Sequence, residues 1–334
     1  MTDSASKINR RPLVSVIIPY YQRKHGVLAK CVKSILAQEG PFDLRVVITD
    51  DSSPVPAEED LSKESCLDPR VHIVRQANAG AGAARNKCLD NVCPESDYIA
   101  LMDSDDEWME SFLACAIQAL EKGYDLFFSD SKRYSEEASR FNWENDPRLN
   151  LQPKDHLLID ADSNLYEYQG NFFDYAVRRS NIMGPSAMVY RRSIAPDLRF
   201  SDKLRNGQDR LFKLHLCCAV NKVAFSTRIL STEGEGVNIF DSASWGTRDS
   251  LLRASSYIDL AKAICGEVPL SAQQRLYVES QLGAARKEFV GGVIHLLRRR
   301  KPFDWKLVFR TLRRDPRSML ELFNISGKFV FGAR

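Results

Sequence analysis

The sequence predicts an α/β fold: a Rossmann-like, mostly parallel sheet flanked by helices, followed by a helical C-terminal extension. Short apolar runs alternate with stretches of helical periodicity through the first 130 residues, an order typical of β-α-β units. The runs are continuously apolar, as expected of parallel strands buried on both faces. Several runs lead directly into acidic residues, which places carboxylates at the ends of strands.

The first half of the chain yields its elements in a regular order. Each apolar, β-branched run predicts a strand, and each following stretch with apolar residues every three to four positions predicts a helix. The predicted strands are Leu13–Pro19, Leu44–Thr49, Val71–Arg75, Tyr98–Met102 and Asp125–Ser129, and the predicted helices are Val27–Gln38, Ala81–Asn91 and Glu110–Glu121.

The pattern loosens after Ser131, where a polar stretch without a clean period predicts a long active-site loop with short elements over Ser135–Gly170. The later predictions are a strand at Ser186–Tyr190, a helix at Asp209–Val220, a loop at Gly234–Trp245, and helices at Ser250–Ile264, Ser271–Phe289 and Val290–Arg300. We therefore predict a tail (residues 1–12), a main domain (13–245, with halves 13–130 and 131–245) and a helical extension (246–334).

Composition narrows the class of protein. The chain has 334 residues, of which 44% are hydrophobic and 27% charged, as in ordinary globular proteins. No segment reaches the roughly 18 apolar residues of a membrane-spanning helix, and the polar start MTDSASKINRRP is unlike a secretory signal. Eight cysteines without CxxC pairs indicate reduced thiols rather than a disulfide framework or a zinc site. A cytoplasmic location is expected.

The C-terminal tail concentrates positive charge. Residues 298–334 contain eleven Lys or Arg against three acids, with aromatic and aliphatic residues interleaved. Such a tail suits the surface of an anionic membrane, or it forms a solvated helix that caps the main domain. Nucleic-acid binding is not expected, because no nucleic-acid motif accompanies the charge.

Acidic residues at the strand ends are the main candidate site. Asp50 and Asp51 end the second strand, and Asp103 and Asp105 follow the fourth, while Asp130 lies near the end of the fifth. Ligands of open α/β sheets bind beyond the carboxyl ends of the strands, and paired carboxylates suit Mg²⁺ or Mn²⁺ shared with substrate phosphates. The alternative is that these acids cap the following helices.

A small-residue segment, NAGAGAARN, runs from Asn78 to Asn86 and opens a predicted helix. Gly80 lets a backbone approach a ligand, and Arg85 adds a fixed positive charge, so a phosphate at the helix N-terminus is one interpretation. A close-packed helix start with a surface arginine is the other. The segment is not a Walker loop, because no GK[ST] follows.

Taken together, these motifs resemble the family 2 glycosyltransferases of the GT-A fold. Four motifs stand in the family's order: VSVIIPYYQR, VVITDDSSP, NAGAGAARN and YIALMDSDDEW. The family's later segments are resembled by the tracts GPSAMVYRR and GQDR. The resemblance covers residues 13–230 and implies a nucleotide-binding half followed by an acceptor half.

The resemblance also implies roles for individual residues. The base pocket would be lined by Pro19, Tyr20, Tyr21 and Arg23. Asp51 would accept a hydrogen bond from uracil, and Asp50 would support Asp51. Asn78 and Gly80 would contact the donor, and Arg85 would offset the diphosphate charge. Asp103 would hold the ribose or a metal-bound water, Asp105 would ligate Mn²⁺ or Mg²⁺, and Asp209 would be the general base. The structural alternative for Asp209 is a helix N-cap or an ion-pair partner of Arg205 or Arg210.

The implied reaction is an inverting transfer of one sugar. No QxxRW motif is present, which argues against processive synthesis, and the PYYQR start with its long polar insertion most resembles exopolysaccharide glucosyltransferases of the succinoglycan type. These imply UDP-glucose as donor, a lipid-linked oligosaccharide as acceptor and peripheral contact with the inner face of the cytoplasmic membrane through residues 298–334. The sequence leaves the oligomeric state open.

Three other functions compete with this one. A phosphatase of the haloacid dehalogenase type also places DxD after a strand, but Glu107 stands where that family has Thr or Val. A sugar nucleotidyltransferase would need a Gly-rich start after the first strand. A non-catalytic sugar-nucleotide-binding module would not need Asp51, Asp105 and Asp209 together.

Overall fold

A computed structural model describes residues 10–61, 63–234 and 244–321. The chain divides into two compact units: one comprises the described residues of Met1–Asp202 and Phe212–Gly236, and the other those of Lys203–Leu211 and Val237–Arg334. The predicted domain boundary at residue 245 stays a prediction.

The strands and helices of the first unit follow the predicted alternation. Its strands are β1 (Leu13–Tyr20), β2 (Asp43–Asp50), β3 (Val71–Arg75), β4 (Tyr98–Leu101), β5 (Glu107–Trp108), β6 (Leu126–Arg133), β7 (Leu157–Asp160), β8 (Leu165–Glu167), β9 (Met188–Arg191) and β10 (Val223–Glu233). Its helices are α1 (Val27–Leu36), α2 (Ala57–Asp60), α3 (Lys63–Leu67), α4 (Ala81–Asp90), α5 (Phe112–Glu121) and α6 (Phe172–Arg179), and α7 (Gln208–Ala219) begins in the second unit and ends in the first.

All ten described strands form one sheet in the order β3-β2-β1-β4-β9-β6-β10-β8-β7, with β5 paired to β10. The pairs β1–β2, β2–β3, β1–β4 and β6–β10 are parallel, and β9 inserts antiparallel between β4 and β6. Because β9 opposes both neighbours, β6 and β10 run in the same direction as the first four strands. The mostly parallel sheet flanked by helices is therefore confirmed.

The core lies on both faces of this sheet. The inner face of α1 buries an apolar stripe that includes Leu28, Val32 and Ile35. Farther along the sheet, the Phe128 ring contacts Phe141 and Phe225 at centroid distances of 5.7 and 5.6 Å. Burying an aromatic or large aliphatic side chain contributes roughly 1.5–3 kcal/mol, so both faces hold the strands in place.

The second half of the sheet differs from its prediction. Strand β10 was not predicted, because bulges at Ser226/Ile229 and Ile229/Ser231 break its alternation of apolar and polar residues. The polar stretch predicted as a long loop with short elements contains the short antiparallel pair β7–β8, which fits that prediction. Strand β6 runs on to Arg133, so Asp130 lies inside the strand rather than at its end.

The second unit is helical, with α8 (Arg248–Glu267), α9 (Ala272–Arg298) and α10 (Trp305–Arg314). The helical C-terminal extension is confirmed, but the two helices predicted at 271–300 are the single helix α9. Ser271 starts it with a capping box, in which Ser271 and Gln274 satisfy each other's backbone N–H groups. No helix in the described ranges is long and apolar enough to cross a membrane. The predicted loop Gly234–Trp245 lies mostly outside the described residues.

Candidate active site at the carboxyl ends of the strands

The carboxyl ends of β1, β2 and β3 meet at one edge of the sheet. Tyr20 pairs with Asp50, and Asp50 pairs with Arg75. The neighbouring strand β4 ends at Leu101, so Asp103 follows it at the same edge. The topology thus brings the two acidic groups predicted from the sequence to the same edge of the sheet, at the ends of β2 and β4 on either side of β1.

Asp50 and Asp51 hold the loops that follow β2 and β3. The Asp50 carboxylate accepts hydrogen bonds from the backbone N–H groups of Ser53 (2.7 Å) and Ala57 (2.9 Å), and so fixes the start of α2. The Asp51 carboxylate accepts from the side chain of Gln76 and from the backbone of Ala79 and Gly80, all at 2.8 Å. Both acids are almost fully buried.

The start of α4 is built around this contact. The Asn78 side chain donates to the backbone carbonyl of Asp51 at 2.9 Å. Gly80 has φ +92°, a conformation that other residues rarely adopt, and its N–H points to the Asp51 carboxylate. Asn78, Gly80 and Asp51, predicted separately as donor-binding residues, therefore form one structural group.

Arg85 and Asp103 form an ion pair. The Arg85 Nη2 and Asp103 Oδ1 atoms are 2.5 Å apart, and the guanidinium lies 5.3 Å from the centre of the Phe200 ring. Only 8% of the Arg85 side chain is exposed, against 31% for Asp103. A buried arginine held this way is a fixed positive charge at the strand ends, beside a carboxylate that solvent reaches.

The loop Asp103–Asp106 is held by two distant segments of the chain. Ser186 Oγ accepts from the Asp103 N–H (2.9 Å) and donates to the Asp106 carboxylate (2.5 Å), whose other oxygen accepts from the Gly234 N–H (2.9 Å). An ideal Cβ at Gly234 would lie 1.9 Å from the Asp105 carbonyl oxygen, so only glycine fits there. This arrangement fixes the backbone on both sides of Asp105.

Asp106 is the buried member of this loop. Burial raises its pKa well above the usual value, and the charges of Asp103 and Asp105 raise it further, against the hydrogen bonds from Ser186 and Gly234. Asp106 therefore supports the loop, while the part-exposed Asp103 and Asp105 face solvent.

A divalent cation fits this donor set only if substrate completes its coordination. Within residues 10–61, 63–234 and 244–321, no three His, Cys, Asp or Glu side chains form a group that could hold a metal ion. Asp103 and Asp105 offer oxygen ligands on a preformed loop, which suits Mg²⁺ or Mn²⁺ sharing its coordination with water and phosphate.

The predicted base-pocket residues differ in exposure. Tyr20 is completely buried in the core, Pro19 and Tyr21 are half-buried, and Arg23 is exposed. Between them, Gln22 was not predicted as a site residue. Its buried side chain donates to Ser104 Oγ at 3.2 Å and its backbone N–H to Ser53 Oγ at 2.7 Å, so it links β1 to the loops after β2 and β4.

Asp209 stands in the first turn of α7 and belongs to the second unit, whereas the other predicted site residues belong to the first. Its neighbour Arg210 is largely buried, and this burial lowers the pKa of the guanidinium. The role of Asp209 as base stays a prediction.

Sequence reasoning missed Ser186, Asp106 and Gly234. Asp106 directly follows Asp105 in the tract DSDD, and the sequence does not show which of these acids is buried. Ser186 and Gly234 carried no local signal, because their partners lie 83 and 128 residues away.

Comparison with known proteins agrees with this geometry. The model of the family "Glycosyl transferase family 2" matches residues 15–198. The chain is 28% identical over 306 residues to the succinoglycan biosynthesis protein ExoW of Rhizobium meliloti (strain 1021), covering 91% of this chain and 94% of ExoW. A putative teichuronic acid biosynthesis glycosyltransferase, TuaG of Bacillus subtilis (strain 168), is 37% identical over 106 residues, or 31% of this chain and 40% of TuaG.

Solved structures agree in fold. Residues 1–349 of S. aureus TarS in complex with UDP-GlcNAc superpose with a TM-score of 0.52 at 17% identity, covering 85% of this chain and 72% of that one. The mannosyltransferase PcManGT from Pyrobaculum calidifontis, in complex with GDP-Man and Mn²⁺, gives 0.53 at 15% identity, covering 97% and 88%. The predicted GT-A fold is thereby confirmed. Since the family model spans more than half of its residues, the chain belongs to glycosyl transferase family 2.

Proposed function

We propose that this glycosyltransferase transfers a single sugar, glucose from UDP-glucose, with inversion to a lipid-linked oligosaccharide during synthesis of a bacterial exopolysaccharide or other surface polysaccharide. The observation that carries the proposal is the loop Asp103–Asp106, held rigid by Ser186 and Gly234 beside the Arg85 charge. The similarity to ExoW along nearly the whole chain supports the pathway class. With a lipid-linked acceptor, the enzyme would act at the inner face of the cytoplasmic membrane as a peripheral protein.

The donor diphosphate would lie against this loop. Asp105, with Asp103, would hold Mn²⁺ or Mg²⁺, which when bound supplies Lewis-acid stabilisation to the leaving nucleoside diphosphate. Arg85 would offset the remaining phosphate charge, because its guanidinium is fixed by Asp103 and Phe200. Asp51 and the Asn78–Gly80 turn would border the nucleoside, with Asp50 supporting them. The wall of the base pocket would be formed by Pro19, Tyr21 and Arg23, and the buried Tyr20 would support this wall from the core.

Asp209 would remove the proton from the acceptor hydroxyl as that oxygen attacks the anomeric carbon from the face opposite the leaving group. One such displacement inverts the donor's α-linkage to β. General base catalysis of this kind is worth about 10²–10⁴-fold in rate.

Two measurements test the proposal. A thermal-shift screen of UDP- and GDP-sugars with and without Mn²⁺ should show the largest metal-dependent shift for UDP-glucose. Asp209→Asn should keep this shift and lose about 10²–10⁴-fold in transfer, with the exposed neighbour Asp202→Asn as control. Near-normal turnover by Asp209→Asn would remove Asp209 as the base. Donor binding without turnover in the wild type would favour a non-catalytic binding module.

A further inference from the structure

Helix α10 packs onto the rest of the second unit through one of its faces. Leu307, Val308 and Thr311 are buried, and Thr311 Oγ1 lies 2.7 Å from Ser255 Oγ on α8. Just beyond the helix, Asp315 forms an ion pair with Arg286 of α9 at 2.6 Å. These contacts fix the rotation of α10 about its axis.

The opposite face of α10 presents aromatic rings to solvent. Trp305 is 51% and Phe309 67% exposed, one helical turn apart, with ring centres 6.1 Å from each other. Phe303 extends the row, with its ring centre 4.5 Å from that of Trp305. Trp305 and Phe309 are exposed and Phe303 beside them is half-buried. Aromatic rings grouped in this way mark a contact surface rather than scattered exposed residues.

Basic side chains flank this aromatic row. With about 100° between successive helical residues, Lys306 and Arg313 project beside Phe309, and both are exposed. Arg310 follows on the same flank, also exposed. From Arg298 to Glu321 the chain carries nine Lys or Arg against three acids, so the surface around the rings is strongly positive.

We propose that this aromatic and basic face of α10 docks onto the surface of an anionic lipid bilayer. Trp and Phe rings favour the headgroup level of a membrane, and basic residues beside them are attracted by anionic lipids. The sequence left two alternatives open for the tail, packing on the protein or binding a membrane. The structure assigns each to its own face of one helix, with the buried face as anchor and the aromatic face as docking surface. This inference does not depend on the transfer reaction, because vesicle binding and sugar transfer are measured separately.

The test uses the full-length protein and sedimentation with two kinds of vesicle, phosphatidylcholine alone and phosphatidylcholine mixed with phosphatidylglycerol. The wild type should sediment with the anionic vesicles and lose binding at high salt. Lys306→Gln/Arg313→Gln should weaken binding about 30-fold, since each basic residue near an anionic surface strengthens it roughly fivefold. Trp305→Ala/Phe309→Ala should weaken binding by at least as much, since the two exposed rings can then no longer be buried in the bilayer surface.

Matched controls come from the same helical unit. Leu276 is 66% exposed on α9, and Lys287 is exposed on the same helix. Leu276→Ala and Lys287→Gln should therefore leave vesicle binding unchanged. Because all these side chains are exposed, each variant should keep the wild-type melting temperature, which verifies folding.

Three outcomes would overturn the proposal. The first is a wild type that does not sediment with anionic vesicles. The second is vesicle binding that survives both α10 double substitutions. The third is a wild-type dimer in sedimentation velocity that Trp305→Ala/Phe309→Ala dissociates while vesicle binding is absent, which would assign the face to a second copy of this chain.

Discussion

The two acidic groups at the strand ends look alike in sequence but differ in what their carboxylates do. Asp50 and Asp51 are buried, and their oxygens accept hydrogen bonds from the loops after β2 and β3. In the loop Asp103–Asp106, only Asp106 has that supporting position, while Asp103 and Asp105 keep part of their surface exposed. Paired acids after a strand can thus either support the loops around a site or be available to a ligand, and the burial of the carboxylate distinguishes the two roles.

The comparison implies that substitutions in the two groups affect different quantities. Removing a buried carboxylate that accepts several backbone N–H groups should lower stability, because those donors are left unsatisfied. Removing a part-exposed carboxylate beside the proposed diphosphate site should lower donor binding instead. The predictions below separate these effects, in order of expected size.

Asp105→Ala should give the largest effect. We expect about 10²–10³-fold weaker Mn²⁺-dependent donor binding, because electrostatic stabilisation at the diphosphate is lost. Calorimetric titration of UDP-glucose with and without Mn²⁺ measures it. Glu110→Ala, an exposed acid shortly after the loop, is the control and should bind normally. Unchanged affinity of Asp105→Ala in Mn²⁺ would refute the metal role.

Asp51→Ala should lower the free energy of unfolding by about 3 kcal/mol, because Ala79, Gly80 and Gln76 lose their acceptor inside the protein. Urea unfolding measures the change. The exposed Asp43→Ala at the start of β2 should change stability by less than about 0.5 kcal/mol. A loss at Asp51 no larger than that of the control would show that its hydrogen bonds do not support the fold.

Ser186→Ala should weaken donor binding about tenfold. The variant loses one hydrogen bond with the Asp103 N–H and one with Asp106, so the ordered conformation of the loop is destabilised by about 1–2 kcal/mol. The matched control is Ser15→Ala, since Ser15 Oγ is also buried and lies 2.6 Å from Ser96 Oγ. Both variants should lose similar stability, but only Ser186→Ala should change donor affinity. Equal affinities would make Ser186 purely structural.

Asp130→Asn should give the smallest effect and a distinctive pH dependence. Burial raises the pKa of Asp130, so the neutral form stabilises the folded state and this contribution is lost as the pH rises through the folded-state pKa. Asn keeps an acceptor for Ser131 and Phe141 N–H. As the pH rises above the usual pKa range of aspartate, the wild type should therefore lose stability relative to Asp130→Asn. The loss should be about 1.4 kcal/mol for each unit by which the folded-state pKa exceeds that of the unfolded chain. Parallel stability curves from pH 4 to 8 would contradict this.

Much of the first half of the fold could be predicted from sequence. Strand β3 was predicted at its observed bounds, and β1 and β2 within a residue or two. Continuous apolar runs carry this information locally. Strand β10 could not be predicted in the same way, because its bulges interrupt the period of two and its partners β6 and β8 are far away in the chain.

In the candidate site, too, the features encoded by local motifs could be predicted, and those that depend on distant contacts could not. The acids at strand ends, the Gly80 turn and Arg85 were found because they stand in recognisable motifs. Three features of the site were not predicted: the pairing of Arg85 with Asp103, the burial of Tyr20 and the link through Gln22. Each depends on the direction in which a side chain points in the folded chain.

The sequence by itself determined the alternation of strands and helices, the position of acids at strand ends and the family, because apolar periodicity and local turn chemistry specify these over short stretches. Only the tertiary structure decided which carboxylates are buried supports and which stay open. Ser186 and Gly234 reach the loop Asp103–Asp106 from 80 and 128 residues away, and contacts at that separation are formed only when the sheet brings β4, β9 and β10 to one edge.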